Sequence, residues 1–264
     1  MGILSTPQRI LVTGASRGIG RATALALARR GHAVVLAARD EAALRRLAGE
    51  IAEAGGRAEV VAMDVTDDTS VAAGVARLLA AGPCDVVINN AGSCDQADFM
   101  AQDAGTRRAE MELNYWGPQR VTRALLPAMV RRGSGVIVNV SSLLGIIASP
   151  TTANYSATKA ALNAWSHALR GEVARFGLKV VVFVAPHTDT AMGRGVQFDG
   201  VVSLPVEYTV KELLRAVDRA PRQYAASLVY RLLVRLAGLF PAFMEARVAA
   251  SARRHLLPAG ASSA

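Results

Sequence analysis

Short apolar stretches alternate along the chain with longer segments in which apolar residues recur every three or four positions. The apolar stretches are rich in valine, isoleucine and leucine, a pattern typical of strands that are buried on both faces of a sheet. The longer segments are amphipathic, and several of them end at glycine, as helices do. Strands that alternate with helices predict right-handed crossovers and a parallel sheet. The pattern therefore predicts an α/β fold with one doubly wound, Rossmann-type sheet and helices on both faces.

Six strands are predicted, which read "RILV", "AVVLAARD", "RAEVVAMDV", "CDVVINNAG", "SGVIVNVSS" and "LKVVVFVAP". A chain of 264 residues fits one domain, 1–264, with its core over about 8–192. Beyond the sixth strand we expect a substrate lid over about 188–212 and a helical C-terminal segment over about 210–257. In that segment a short strand should precede two helices that are separated near Pro241.

The composition is 52% hydrophobic and 19% charged, which is typical of a globular protein and excludes a disordered chain. The apolar runs are of strand length, far below the ~20 residues of a membrane-spanning helix. The first strand begins at Arg9 without a preceding signal-peptide pattern. We therefore expect a cytoplasmic protein without a metal site, in which Cys84 and Cys94 are reduced and serve packing.

A glycine-rich stretch, "TGASRGIG" at 13–20, joins the first predicted strand to the first predicted helix. Gly14 would permit the sharp turn, Gly18 would let a pyrophosphate approach bare backbone, and Gly20 would let the helix lie close to the strand. Free N–H groups at the start of that helix attract a phosphate. The spacing departs from the G-x-G-x-x-G fingerprint, so the stretch alone is also compatible with an ordinary glycine turn.

Tyr155 and Lys159 lie four positions apart on a predicted helix, so their side chains project from one face. Ser142 precedes Tyr155 by thirteen residues and ends the fifth strand. The stretches "TGASRGIG", "DVT", "NNAG", "ELNYWG", "NVSS" and "YSATK" occur in this order on the predicted topology. In these motifs the chain resembles the short-chain dehydrogenase/reductase family over about residues 8–192.

The resemblance implies a catalytic tetrad of Asn114, Ser142, Tyr155 and Lys159. Tyr155 would be the general acid and base, since a phenol of pKa ~10 needs the Lys159 ammonium and an oxidised nicotinamide to stabilise its phenolate. Ser142 would hydrogen-bond the substrate oxygen, Lys159 would contact the nicotinamide ribose, and the backbone carbonyl of Asn114 would hold a water of the proton relay. Pro118 has no N–H for that carbonyl, which leaves the carbonyl free; the same proline is also compatible with a simple kink.

The end of the second strand indicates which dinucleotide is bound. The acidic residue that would bind a ribose 2'-hydroxyl is expected there, but the position holds Ala38, and Arg39 follows it. Arg39 and Arg17 together would clamp a 2'-phosphate. Asp40 is the alternative ribose ligand, although its position suits a helix cap. The sequence therefore favours NADP(H) over NAD(H).

The implied cofactor contacts lie on the glycine turn, at the strand ends and in the loop after the sixth strand: Gly14, Ser16, Arg17, Gly18, Ile19, Gly20, Arg39, Asp64, Val65, Asn90, Ala91, Gly92, Tyr155, Lys159, Pro186, Thr188 and Thr190. In that last loop the family has Pro-Gly and then a threonine that contacts the nicotinamide amide, whereas this chain has "APHTDTAM". His187 replaces the glycine, and either Thr188 or Thr190 would serve the amide. We expect His187 to be a partly exposed loop residue rather than a substrate contact.

These residues predict an NADP(H)-dependent carbonyl reductase or alcohol dehydrogenase that acts on a small-molecule, apolar substrate. Two alternatives remain at this point: a cofactor-binding sensor or scaffold without turnover, and a dehydratase or epimerase on the same fold. A homodimer through the two long predicted helices, over 105–132 and 155–176, is also expected.

The C-terminal segment is basic. Residues 211–264 carry nine Lys/Arg, Arg253 and Arg254 among them, and three acids, a net charge of +6 out of +9 for the chain. Leucines recur there at helical spacing, at Leu228, Leu232, Leu236 and Leu239. Arg231 and Arg235 would lie on another face, which predicts a basic amphipathic helix. Such a helix covers the domain's own core or cleft, or it contacts an anionic membrane or an acidic carrier protein. Nucleic acid is not expected, since no recognition motif accompanies the charge.

Overall fold

Seven strands form one sheet in the computed structural model, which describes residues 2–252. They are β1 (Arg9–Thr13), β2 (Ala33–Ala38), β3 (Arg57–Ala62), β4 (Val86–Asn89), β5 (Gly135–Ser142), β6 (Leu178–Ala185) and β7 (Gln223–Ala225). All pairs are parallel, and the order is β3-β2-β1-β4-β5-β6-β7. The predicted doubly wound α/β fold is confirmed. β4 is shorter than the stretch "CDVVINNAG" predicts, because the polar residues after Asn89 leave the ladder.

Helices cover both faces of the sheet. They are α1 (Gly18–Ala28), α2 (Glu41–Glu53), α3 (Asp68–Ala80), α4 (Ala104–Met111), α5 (Gly117–Arg132), α6 (Ala153–Val173), α7 (Ala191–Arg194), α8 (Val206–Arg219), α9 (Leu228–Leu239) and α10 (Pro241–Ala252). One core layer joins α1, α2 and α8 to the sheet, and the other joins α3, α5 and α6. Successive residues of β1 alternate between them: Ile10 and Val12 face the first layer, and Leu11 faces the second.

The strand order reverses between β1 and β4, since β2 lies on one side of β1 and β4 on the other. In doubly wound sheets, ligands bind in the crevice that opens at this point, outside the carboxyl ends of the strands. The glycine turn follows β1, the stretch "NNAG" begins within β4, and Ser142 ends β5. The fold therefore brings these three motifs to the same edge of the sheet.

The helix predicted around Pro118 is present as α4 and α5, joined by a π-helical turn over Glu112–Trp116. The N–H of Gly117 bonds to the carbonyl of Glu112, one residue farther back than in an α-helix. Pro118 follows directly and has no N–H to continue the regular ladder. Asn114 lies in the middle of this turn. The predicted interruption at Pro118 thus takes the form of a π-helical turn.

The C-terminal segment contains the predicted short strand and the two predicted helices. β7 contains Tyr224, and α9 and α10 are separated at Pro241. α8, in contrast, begins at Val206, inside the range predicted for the lid, because its buried residues, Leu213 among them, pack in the same core layer as α1. The lid therefore ends before Val206.

α9 packs through a different face than its leucine spacing predicts. Val234 packs against β6 and β7, whereas Leu232 and Leu239 are 58% and 71% exposed. Arg231 and Arg235 lie on the same solvent-facing side as these leucines, not on a separate face. The prediction was wrong because apolar residues surround most of this helix, so spacing alone does not select the packed side.

Candidate active site

The glycine turn after β1 brings backbone into close contact with the start of α1. Gly14 and Gly18 have φ angles of +66° and +56°, in the left-handed region that favours glycine. A Cβ at Gly20 would collide with the carbonyl oxygen of Gly14 and would lie 2.5 Å from Nδ2 of Asn90. Ser16, Arg17 and Ile19 lie on the same turn and on the first turn of α1. Gly20 therefore has the close-packing role that the sequence predicts.

Asn90 ties the glycine turn to the end of β4. Its Nδ2 donates to the carbonyl of Thr13 at 3.0 Å. The Thr13 hydroxyl accepts from the backbone N–H groups of Asn90 and Ala91, at 3.0 and 3.1 Å. Two neighbouring loops at the crevice are thus fixed to one another. Thr13 was not singled out from the sequence, although it is the first residue of the glycine-rich stretch.

Asp64 and Val65 follow β3 on the far side of the crevice. The Asp64 carboxylate accepts from the N–H and the hydroxyl of Thr66, at 2.9 and 2.7 Å. Burial acts to raise the pKa of Asp64, but these hydrogen bonds and the positive charge of Arg39 hold it below its usual value. Arg39 and Arg17 are both exposed. Arg39 is therefore within electrostatic reach of the predicted adenosine side.

Ser142, Tyr155 and Lys159 converge at the end of β5. The Ser142 hydroxyl lies near enough to the Tyr155 phenol to lower its pKa through hydrogen bonding, and Nζ of Lys159 lies 5.7 Å from the centroid of the Tyr155 ring. Lys159 is buried, and its Nζ donates to the carbonyl of Val140 at 3.0 Å. The backbone N–H of Leu144 donates to the Ser142 hydroxyl at 3.2 Å, which fixes that side chain at the strand end. The structure thus brings three of the four predicted catalytic side chains together.

Burial shifts the two titrating groups in opposite directions. It raises the pKa of Tyr155, and the hydrogen bond with Ser142 opposes this effect. It lowers the pKa of Lys159 to about 8, so the ammonium is largely retained at neutral pH and is lost as the pH rises above that value. The phenol is therefore protonated near neutrality, beside a lysine that is ready to stabilise its phenolate.

Asn114 links three elements next to this cluster. Its Oδ1 accepts from the N–H of Ser93 at 2.9 Å, and its Nδ2 donates to the carbonyl of Ser93 at 2.8 Å and to the hydroxyl of Thr158 at 3.1 Å. A Cβ at Gly92 would lie 3.0 Å from Oδ1 of Asn114 and 3.6 Å from Nζ of Lys159. The side chain of Asn114 is thus fully used in positioning, and its relay role through the backbone carbonyl stays a prediction.

The two candidate threonines after β6 have different partners. Thr188 is buried, and its hydroxyl bonds to that of Thr209 at 2.8 Å and donates to the carbonyl of Pro186 at 2.9 Å. The Thr190 hydroxyl accepts from a backbone N–H at the start of α7, and its methyl group would lie 3.5 Å from a Cβ at Gly18. Thr190 is therefore the threonine that faces the glycine turn. His187 is half-buried, with its ring edge-on to that of Phe198.

Two further groups lie beside the tetrad. Cys94 and Glu110 both act electrostatically on Tyr155 and Lys159. From the sequence, Cys94 was predicted to serve packing, and Glu110 was not predicted to lie at the site. Cys94 follows "NNAG" by two positions, a signal of proximity to the site, whereas a helical glutamate resembles any surface residue. Within residues 2–252, no group of three or more His, Cys, Asp or Glu side chains is arranged so that it could hold a metal ion.

The reversed strand order, the glycine turn and the Ser–Tyr–Lys cluster define a dinucleotide-dependent oxidoreductase of the doubly wound α/β class. The sequence profile described as short chain dehydrogenase matches residues 8–199. The chain belongs to the short-chain dehydrogenase/reductase family, which confirms the resemblance inferred from its motifs.

Relatives at the level of sequence include dehydrogenase/reductase SDR family member 7B from Bos taurus, 33% identical over 84% of this chain and 70% of that protein. The Mus musculus protein of the same name is 39% identical over 66% of this chain, and the match spans only 55% of its length. Ketoacyl reductase HetN from Nostoc is 34% identical over 76% of this chain and 69% of its own.

Solved structures agree over nearly the whole fold. A short-chain dehydrogenase from Burkholderia cenocepacia in complex with NADP is 29% identical, with a TM-score of 0.81 over 92% of this chain and 97% of its own. A short-chain dehydrogenase from Streptomyces avermitilis is 33% identical, with a TM-score of 0.78 over the same shares. This chain is thus similar to an NADP-bound enzyme along most of its length.

Proposed function

We propose that this protein is an NADP(H)-dependent oxidoreductase that interconverts a carbonyl and an alcohol, with Tyr155 as general acid and base. The observation that carries the proposal is the contact of Ser142, Tyr155 and Lys159 at the strand-order reversal, beside a glycine turn. A sensor without turnover would not need a lysine buried against a tyrosine, since burying a charged group costs free energy. Replacement of Tyr155 by phenylalanine tests this role, and we expect it to abolish most of the turnover.

The residues act as follows in carbonyl reduction. NADPH, when bound, supplies the hydride to the carbonyl carbon. Tyr155 donates its phenolic proton to the carbonyl oxygen, and Ser142 hydrogen-bonds the same oxygen as negative charge develops on it. The Lys159 ammonium stabilises the resulting phenolate, which then regains its proton from solvent through water held near Asn114. Alcohol oxidation reverses these steps.

The residues at the crevice fit a dinucleotide. Bare backbone at Gly14 and Gly18 leaves space where a side chain would obstruct a pyrophosphate, and the N-terminus of α1 supplies N–H groups for it. Arg17 and Arg39 are exposed, and no carboxylate in the described part of the chain forms an ion pair with either of them. Asp40 instead accepts from the N–H of Ala43 at 2.9 Å, as a helix cap does. This arrangement supports NADP(H) over NAD(H).

Arg39→Ala tests the cofactor preference. We expect KM for NADPH to rise about 10- to 100-fold, the equivalent of one charge-assisted phosphate contact. KM for NADH should change little, because NADH carries no 2'-phosphate. Steady-state kinetics with each cofactor measure the effect, and Arg30→Ala, at an exposed position beyond the end of α1, is the matched control. Equal losses for the two cofactors would refute the assignment.

The loops around the crevice support an apolar substrate. Gln96, in the loop after β4, makes two hydrogen bonds with the backbone of Gln197 in the lid, at 2.8 and 2.7 Å. Large apolar side chains are exposed on these two loops: Phe99, Met100, Met192, Val201 and Val202. An apolar rim of this kind is typical of sites that admit hydrophobic ligands. We therefore infer an apolar ketone or secondary alcohol as the substrate class.

A homodimer through α6 and the α4–α5 pair is part of the proposal. Except at Glu172, the exposed positions on α6 are held by small residues, which let two helices approach closely: Ala153, Ala157, Ala160, Ala164, Ala168 and Gly171. Glu245 and Ala249 of α10 line a groove with the first three of these alanines. The rest of the exposed small-residue face of α6, around Ala164 and Ala168, is available to a second copy of this chain.

We further infer that α9 and α10 contact an anionic membrane surface. Apolar side chains are exposed next to the arginines of α9: Val229, Leu232, Leu239, Phe240 and Phe243. Apolar and basic side chains on one exposed face are typical of helices that lie in a lipid interface. No helix within residues 2–252 is long and apolar enough to cross a bilayer, and Arg253 and Arg254, which add to the basic charge, lie outside the described residues.

Cosedimentation with vesicles tests the membrane contact. The intact protein should bind vesicles that contain phosphatidylserine, and binding should weaken as salt rises. Arg231→Gln/Arg235→Gln should lower the partition coefficient by roughly 30-fold, at about 1 kcal/mol for each of the two arginines. Arg30→Gln/Arg46→Gln removes the same charge from exposed positions elsewhere and should bind like the wild type. Absence of salt-sensitive binding would overturn the membrane proposal and favour an acidic protein partner.

A further inference from the structure

Glu110 is a buried carboxyl group on α4, one helical turn before Asn114, and only 2% of its surface is exposed. Its Oε1 accepts from the backbone N–H of Asp95 at 3.0 Å, and its Oε2 accepts from Nδ2 of Asn154 at 2.5 Å. One turn later, Asn114 bonds to Ser93 in the loop after β4 and to Thr158 on α6. Glu110 and Asn114 thus link α4, the loop after β4 and α6 at two successive levels.

Asn154 directly precedes Tyr155, so the link at Glu110 holds the turn that carries the proposed acid. A second bond supports it, since Nδ2 of Asn154 also donates to the carbonyl of Arg107 at 3.1 Å. The Asp95 carboxylate accepts from Nε2 of Gln102 at 2.9 Å, which fixes the loop from its other side. A displacement of Glu110 would therefore shift Asn154 and, with it, the position of Tyr155.

The charged and titratable groups that act on or are acted on by Glu110 come from the loop and from α6: Asp95, Cys94, Tyr155 and Lys159. Burial raises the pKa of Cys94 to about 12, so this thiol is neutral near pH 7. Burial raises the pKa of Glu110, and its hydrogen bonds with Asn154 and Asp95 and the positive charge of Lys159 oppose that shift. With the thiol neutral, the ionised Glu110 carboxylate is the negative group that acts on Lys159. That charge raises the pKa of Lys159 and opposes the effect of burial.

We propose that Glu110 is a positioning residue of the catalytic site, which holds the first turn of α6 and supplies the negative charge that keeps the buried Lys159 protonated. The inference rests on the proposed role of Lys159. A buried carboxylate is costly unless it is hydrogen-bonded and paired. Glu110 meets that condition through its two hydrogen bonds and the charge of the Lys159 ammonium. If the position served only packing, an uncharged residue would fill it without the free-energy cost of burying a carboxylate.

The titration of Lys159 tests this proposal without any turnover. The chain contains three lysines, Lys159, Lys179 and Lys211, so the ε-carbon signals of 13C-labelled lysine can be assigned with Lys179→Arg and Lys211→Arg, both at exposed positions. In Glu110→Gln we expect the pKa of Lys159 to fall by about half a unit to one unit from its value near 8. The basic limb of the kcat profile for ketone reduction, where Lys159 loses its proton, should move to lower pH by a similar amount.

Three further variants separate the charge from the tether. Glu112→Gln removes a half-exposed carboxylate two positions away and should leave the Lys159 titration unchanged. Asn154→Ala breaks the tether and retains the charge, so kcat should fall while Lys159 continues to titrate near 8. If Glu110→Gln does not fold, Glu110→Ala removes the same charge and leaves room for water at the two donors.

A wild-type titration of Lys159 in a folded variant without the Glu110 charge would overturn the proposal. This outcome is distinguishable from failure of the proposed function, in which Tyr155→Phe would retain turnover whatever the lysine titration shows.

Discussion

Tyr155→Phe is expected to reduce kcat by roughly 10²- to 10⁴-fold, the usual contribution of a positioned general acid. The phenylalanine retains the ring and removes only the hydroxyl that hydrogen-bonds Ser142. Within residues 2–252, the Ser142 hydroxyl accepts from the backbone N–H of Leu144 and forms no hydrogen bond with a side-chain base, so it is poorly suited to replace Tyr155 as the acid. Steady-state rates of ketone reduction, followed through NADPH absorbance, measure the loss.

The control for this variant is Tyr115→Phe, which removes a hydroxyl from a ring packed edge-on against Trp116 on the π-helical turn. Its rate should be close to that of the wild type. NADPH affinity, measured by fluorescence, should fall far less than kcat in Tyr155→Phe, because the phenol lies at the nicotinamide end of the predicted cofactor site and does not bind the phosphates. Turnover in Tyr155→Phe close to the wild-type rate would show that another group donates the proton.

Gly20→Ala is expected to lower the free energy of unfolding by about 1–3 kcal/mol and to weaken NADPH binding strongly. The added Cβ would collide with the carbonyl oxygen of Gly14 and lie 2.5 Å from Nδ2 of Asn90. Neither atom can retreat easily, because Asn90 is bonded to Thr13 at 3.0 Å. Relief of the clash must therefore displace the turn that receives the pyrophosphate.

Gly49→Ala is the matched control for this prediction. Gly49 lies within α2, is exposed and has no heavy atom within 4 Å of the position of an added Cβ. Alanine should stabilise the helix there by roughly 0.5–1 kcal/mol. Chemical denaturation gives both free energies, and NADPH titration should show a loss of affinity only for the variant in the turn. Equal affinity in the two variants would contradict the role of Gly20.

Much of the fold could be predicted from the sequence, because buried parallel strands and amphipathic helices differ in hydrophobic period. The tetrad was predicted from the resemblance in motifs, whereas periodicity alone places Tyr155 and Lys159 on one helical face and Ser142 at the end of a strand. The packed face of α9 could not be predicted, because its apolar residues lie on most sides of the helix. Which side is buried depends on packing against β6, which is distant in the sequence. The start of α8 was missed for a similar reason: its burial depends on packing with the layer that holds α1.

Glu110 shows the limit of sequence reasoning within the site itself. A glutamate in a helix that begins "AGTRRAEM" has the pattern of a solvated residue. Its burial depends on donors from Asp95 and Asn154, which are 15 and 44 residues away in the chain. Such contacts follow from tertiary structure and leave no mark on local periodicity.

Transfer of deuterium from NADPH to a ketone tests whether this protein reduces a carbonyl by hydride transfer with Tyr155 as the acid. The protein is incubated with a panel of apolar ketones and NADPH that carries deuterium at both C4 positions of the nicotinamide, and the alcohols are analysed by mass spectrometry. We expect one deuterium on the carbinol carbon of at least one product, and loss of that product in Tyr155→Phe. An alcohol formed without deuterium at that carbon, or deuterated product formed equally well by Tyr155→Phe, would contradict it.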